Sequence, residues 1–320
     1  MCIFVWLIPG FLPGDFLSVL FPAHATIYFR LVVELNLYQP GVVNASVPFP
    51  SEWNELSLKE LHHVAKTIIS DFKNPYDANA FLFLKLLASR VNGKVKLLNN
   101  KKLTNIENLL DAEQVVIDGL PAMEFIFKGN TLTKQPYPTL NIRCGFLKHR
   151  LIKYQGPDDN FNTLTCGEFE DAEIFFNQFK YEPTQQSLAH LASILYRPAA
   201  ASYLKLDVKT GQYVEYDSEK PLRFFKKVPA WKLYAIFLWY AGCRDQLPKL
   251  FPNCFGGTMP DENNGEIDFM IFTKCIHAGA GAKNGTRNDI RRTKLKEFFM
   301  EMELEKLAAI ETQKQHDAAK

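Results

Sequence analysis

Residues 228–255, VPAWKLYAIFLWYAGCRDQLPKLFPNCF, decide how the fold is read. From Leu233 to Cys243 every residue is apolar, aromatic or glycine. A helix of that composition has no face to offer water, so it belongs in the interior with the rest of the chain packed around it. Pro229 stands where a helix can begin, and Pro248 and Pro252 are placed to stop it. The expectation is a buried central helix over roughly 230–247, about eighteen residues long. Its unbroken apolar part is shorter than the ~20 residues a bilayer crossing needs, which favours a globular core over a membrane span.

Composition agrees. Of 320 residues, 47% are hydrophobic and 13% aromatic, too rich for a disordered chain. Thirty-seven basic against thirty-five acidic side chains leave +2, so no global field draws nucleic acid or an anionic membrane. The six cysteines form no C-x-x-C pair and read as reduced, mostly buried thiols of a cytosolic protein. Residues 1–31 form an apolar extension, broken by Pro9, Pro13 and Pro22 and lacking a basic leader; the status of this extension is open, and removing it is expected to leave a folded chain.

Working outward from the central helix, the chain predicts a mainly α-helical protein with small β-hairpins, an α+β class. One core domain is expected over 32–255, then a polar, glycine-rich linker with a short helix over 256–285 and a charged helix from 286 to the end. Val32–Phe49 alternates around Pro40-Gly41 and reads as a hairpin. Ser57 with Glu60 forms a capping box for a helix through Phe72, and Pro75 opens another through Arg90. Thr104 with Glu107 starts a third, and a short strand over 123–127 opens EFIFKGNTLTK (124–134), which reads as a small hairpin before a loop at Pro136 and Pro138. Thr165 with Glu168 caps a helix whose Phe169, Ala172, Phe176 and Phe179 recur at helical spacing, followed by a partner helix ending at Arg197-Pro198. Residues 202–216 read as one more hairpin.

Chemistry is sparse. His62 and His63 are adjacent and point about 100° apart, so they cannot serve one metal. Glu168, Glu170, Asp171 and Glu173 could bind a divalent cation, though acids are favoured at a helix N-terminus in any case. Ser187 and His190 sit three apart on one helix without a nucleophile elbow. Cys243-Arg244-Asp245 could hold an activated thiol or merely close the central helix. Gly279–Gly285 matches no phosphate-loop spacing. No catalytic, cofactor or metal residue is assigned. Arg223, Phe224, Phe225, Lys226 and Lys227 interleave cations with rings and are the candidate contact for an alternative role as an intracellular nucleic-acid-associated accessory protein. The stripe of Phe169, Phe176 and Phe179, with Phe298, Phe299 and Met302 of the last helix, is the candidate partner-binding surface.

The segments FPSEWNELSLKEL (49–61), LTCGEFEDAEIFFNQF (164–179), LAHLASILYRP (188–198) and WKLYAIFLWYAGCRDQLPKLFP (231–252) together resemble an uncharacterised helical family encoded among the tail and structural genes of tailed phages and prophages. The resemblance spans roughly 33–255 and rests on aromatic and helix-cap patterns. It implies a non-enzymatic protein, chaperone-like or a minor structural component, that contacts another tail or virion protein. The implied location is the cytoplasm of the bacterial host or the virion itself, with nucleic acid and membrane disfavoured as partners. No functional residue carries over. On this reading, cutting the chain after Ala282 should weaken partner capture and leave the remaining domain folded.

Overall fold

The computed structural model describes residues 33–34, 37–39, 42–45, 48–70, 72, 74–90, 116–117, 119–144, 150–198, 204–206, 213–215, 217–255 and 286–319. The fold is mainly helical with small antiparallel sheets. It divides into two compact units, Met1–Thr131 and Leu132–Lys320, so the division falls within the expected 32–255 domain, and the C-terminal helices belong to the second unit.

In the first unit, strands β1 (Val33–Glu34), β2 (Leu37–Gln39), β3 (Val42–Ala45) and β4 (Pro48–Phe49) pair as β1 with β4 and β2 with β3, the hairpin expected around Pro40-Gly41. Helices α1 (Leu58–Ile69) and α2 (Pro75–Arg90) follow. The Ser57–Glu60 capping box is formed in both directions, and the same buried Glu60 pairs with Arg90 from the end of α2. One carboxylate therefore caps one helix and ties it to the next. His62 and His63 are both half-buried on α1. The strand expected at 123–127 is instead a 3-10 turn at Leu120–Met123 running into a one-turn helix, α3 (Glu124–Phe127). Met123 and Ile126 are buried, and Trp53 donates its indole N–H to the carbonyls of Gly129 at 2.8 Å and Phe125 at 3.2 Å. Helical pairing of this local segment with Trp53 outweighs its β-like composition. The Thr104–Glu107 box lies outside the described residues.

Beyond Pro136 and Pro138 the second unit forms a sheet that the sequence patterns did not mark. β5 (Thr139–Cys144) pairs antiparallel with β6 (Arg150–Gln155), from Thr139 opposite Gln155 to Cys144 opposite Arg150, and β7 (Arg197–Pro198) adds to β6. Leu140, Ile142 and Tyr154 are buried, the period-two pattern of a one-sided sheet. Helices α4 (Cys166–Tyr181) and α5 (Gln185–Leu195) form the expected helical hairpin, capped by Thr165 and Thr184. β8 (Leu204–Leu206) and β9 (Tyr213–Glu215) pair antiparallel, as the 202–216 alternation indicated. α6 (Glu219–Phe225) leads into α7 (Ala230–Leu250).

α7 is the central helix. It runs 21 residues, three beyond the expected stop, because Pro248 is accommodated in its last turns and the chain leaves the helix at Phe251. Leu233 through Tyr240 are all buried. Phe161, Phe169, Phe176 and Phe179 interlock with Tyr234, Phe237, Trp239 and Tyr240 at ring separations from 4.7 to 6.0 Å. The polar ends of these rings are satisfied by backbone carbonyls: Trp239 donates to Thr133 at 2.9 Å and Tyr240 to Phe169 at 3.3 Å. Asn160 and Phe161 take positive φ of 55° and 58°, a costly turn for a bulky residue, and it delivers the Phe161 ring into this cluster.

The single helix expected from 286 is two. α8 (Arg287–Arg292) and α9 (Leu295–Ala318) are separated at Thr293-Lys294, whose extended backbone bridges to Thr165; Cys166 N–H donates to Thr293 O at 3.0 Å and Leu295 N–H to Leu164 O at 2.8 Å. Backbone pairing with the entry to α4 breaks the helix there. The short helix and linker expected over 256–285 lie outside the described residues. Among the described residues, no helix is long and apolar enough to cross a membrane.

Candidate interaction surface

The acids crowding the start of α4 each meet an arginine brought from far along the chain. Glu168 pairs with Arg197, Glu170 with Arg291 and with Arg287 at 2.7 Å, Asp171 with Arg291 at 3.0 Å, and Glu173 with Arg244 at 3.0 Å. Glu168, Glu173, Arg244 and Arg291 are buried. The cluster fastens β7, α7 and α8 to one helix, and Glu168 also closes the Thr165 capping box. These carboxylates are engaged with cations, and among the described residues no group of three or more His, Cys, Asp or Glu is arranged to hold a metal ion.

The other candidates for chemistry resolve structurally. Burial pushes the Cys166 thiol up to about 12 and raises Cys243 as well, so neither is a thiolate at neutral pH. Arg244 turns away from any thiol role toward Glu173, with Asp245 3.5 Å from its other arm. Ser187 is 1% exposed, and its hydroxyl pairs with that of Thr184 at 2.8 Å within the cap of α5. His190 stacks on Phe175 with ring centroids 4.4 Å apart, and its Nδ1 lies 3.5 Å from Glu219. Burial holds its pKa below the ordinary value although Glu219 opposes this. An acid thus lies beside His190, but the serine is closed to any substrate. A recess of about 200 Å³ at residues 155–158, Thr163, Arg197 and Pro198 is smaller than the ~300 Å³ where ligand pockets begin.

The basic segment 222–227 is an amphipathic turn. Arg223, Lys226 and Lys227 are exposed, but Phe225 is buried against Tyr154, at 5.1 Å, and Tyr196. Phe224 is half-covered, with the Arg223 guanidinium 4.7 Å from its ring. α6 packs on the sheet and α5, so one of its two rings is buried and Phe224 is the ring left partly exposed.

The expected partner-binding stripe is likewise core. Phe169, Phe176 and Phe179 face α7, and Phe298, Phe299 and Met302 pack into the second unit, all six at 9% exposure or less. Periodicity identified the apolar faces, but the first is covered by α7 and the second packs against Phe251 and Phe255.

Several large apolar side chains stay exposed, Tyr181, Leu151 and Ile174 among them, and four more lie along the reverse of α9. Leu295, Phe298, Phe299 and Met302 define its packed side. At about 100° per residue, Met300, Leu304 and Leu307 lie on the opposite side, with Ile310 at its edge. Met300 and Leu304 are each 61% exposed, Leu307 46% and Ile310 42%. From Leu307 to Ala319 every residue is exposed. α9 is anchored just before it leaves the unit: Glu303 accepts from the backbone N–H groups of Asn253 and Cys254 at 3.1 and 2.9 Å and from Asn253 Nδ2 at 2.6 Å, and Lys306 donates to the carbonyls of Asn253 and Cys254. Leu304 and Leu307 follow Phe298 and Phe299 closely enough along the sequence that separating the two sides required knowing which one was packed.

No protein-family model, no curated protein and no solved structure matches this chain.

Proposed function

We propose that this chain is a non-enzymatic phage or prophage protein that works by protein–protein contact in virion or tail assembly, as a chaperone-like factor or minor structural component in the cytoplasm of the bacterial host. The exposed reverse face of α9 carries the contact reading. The unpacked run from Leu307 is marginal as an isolated helix in water, and the apolar stripe of Met300, Leu304, Leu307 and Ile310 that leads into it matches the anchors that helices use in partner grooves. The assembly setting rests on the family resemblance of residues 33–255. The test is co-expression of the full chain with a tail gene cluster. A tail component should co-purify with the wild type and be lost with Leu304→Lys/Leu307→Lys, while the thermal transition is unchanged. Equal capture by both proteins, or capture of no tail component by the wild type, overturns the reading.

A further inference from the structure

We infer that the reverse face of α9 takes a second copy of this chain, with the two helices running antiparallel. The inference rests on the contact reading above and names the occupant of that face. Residues 297–314 place Glu297, Met300, Leu304, Leu307, Glu311 and Lys314 at alternating spacings of three and four, the a and d positions of a heptad. This seam lies opposite the packed side of α9, so a second helix can lie along it without displacing Phe298, Phe299 or Met302.

Charge selects the orientation. Residues 297–305 carry four glutamates and no cation, whereas 306–320 carry Lys306, Lys314, His316 and Lys320 against Glu311 and Asp317. A parallel pair would set Glu297 against Glu297 and Glu311 against Glu311. Centred between Leu304 and Leu307, an antiparallel pair sets Leu304 of each copy on Leu307 of the other. Met300 then covers the stem of Glu311, and Glu297 faces Lys314 at both ends of the seam. Opposed helix dipoles favour the same arrangement. The Lys294–Glu297 pair at 3.1 Å is exposed and competes only weakly for Glu297.

Sedimentation equilibrium of the full chain tests this. Wild type should be a dimer whose fraction rises with concentration, and Leu304→Lys/Leu307→Lys should be monomeric with an unaltered thermal transition. Glu297→Lys alone and Lys314→Glu alone should each weaken the dimer, and the double exchange should restore it, because the pair forms between copies. A monomeric wild type overturns the inference, as does a dimer that survives the lysine variant or that the double exchange fails to restore. If the wild type is monomeric yet captures a tail component through Leu304 and Leu307, self-association fails and the contact reading stands. If the dimer forms as described but captures no tail component, the assembly reading fails and this inference stands.

Discussion

Arg244 donates its Nε to both carboxylate oxygens of Glu173 at 3.0 Å, joining α7 to α4 with side chains 6% and 1% exposed. Its guanidinium also lies 5.1 Å from the Phe176 ring centroid. Burial works against charge at Arg244, but the Glu173 and Asp245 carboxylates outweigh it and raise its pKa. Removing one member strands the other in the interior, which typically costs about 3–5 kcal/mol. Arg244→Ala should lose stability on that scale in denaturant unfolding, and Arg244→Met/Glu173→Leu should recover much of it. A loss below about 0.5 kcal/mol for Arg244→Ala would show that the pair is not closed off from water.

Gly242 separates two competing effects. Alanine in a helix interior is favoured over glycine by about 1 kcal/mol, but a Cβ here would lie 2.3 Å from the Leu132 carbonyl oxygen and 2.8 Å from its nitrogen. Backbone cannot swing aside as a side chain would. Gly242→Ala should therefore destabilise the protein, by about 1–3 kcal/mol, as overpacked sites do. A higher Tm for the variant would mean the backbone at Leu132 does not cross α7 at this point.

Trp239 is fully buried and hydrogen-bonded, so Trp239→Ala should cost about 3–5 kcal/mol, and Cys243→Ala, which deletes one sulfur, far less. Equal effects in chemical denaturation would contradict the placement of Trp239 at the centre of the aromatic cluster.

The Glu303 anchor should respond to acid. Burial pushes its pKa up, but the hydrogen bonds from Asn253 and Cys254 outweigh this and hold it below the ordinary value. A depressed carboxylate pKa means stabilisation that is complete above the unfolded value of about 4.3 and lost as pH falls through the folded value. Protection of the Cys254 amide, relative to its intrinsic exchange rate at each pH, should fall over that window in the wild type, while in Glu303→Gln it should be already low and flat. Unchanged acid sensitivity in Glu303→Gln would assign the effect to another group.

Truncation separates the two parts of the C-terminal segment. Cutting after Ala282 removes Ile290, Leu295, Phe298 and Phe299 from the core and Arg291 from Glu170 and Asp171. The remaining chain should lose its cooperative transition, contrary to the expectation from sequence. A stop after Lys306 keeps those contacts and should melt within a few degrees of the wild type. The reverse order of stabilities would place the C-terminal helices outside the fold.

Local chemistry made part of this protein legible in its residues. The Ser57–Glu60 and Thr165–Glu168 boxes formed because a capping box is closed within four residues, and α7 is buried because an all-apolar helix has nowhere else to go. Pro40-Gly41 and the 202–216 alternation likewise placed their hairpins. β5 and β6 escaped although Leu140, Ile142, Ile152 and Tyr154 alternate, because a strand of six residues is only half a structure until its partner is known. The acids of α4 were visible, but their partners were not: Arg244 is 71 residues from Glu173, and Arg291 is 120 from Asp171. Only the tertiary structure decided that Phe169, Phe176 and Phe298 point inward and Leu304 and Leu307 outward. A helical period reveals that a face is apolar, whereas what covers that face depends on elements that meet it only after the chain has folded.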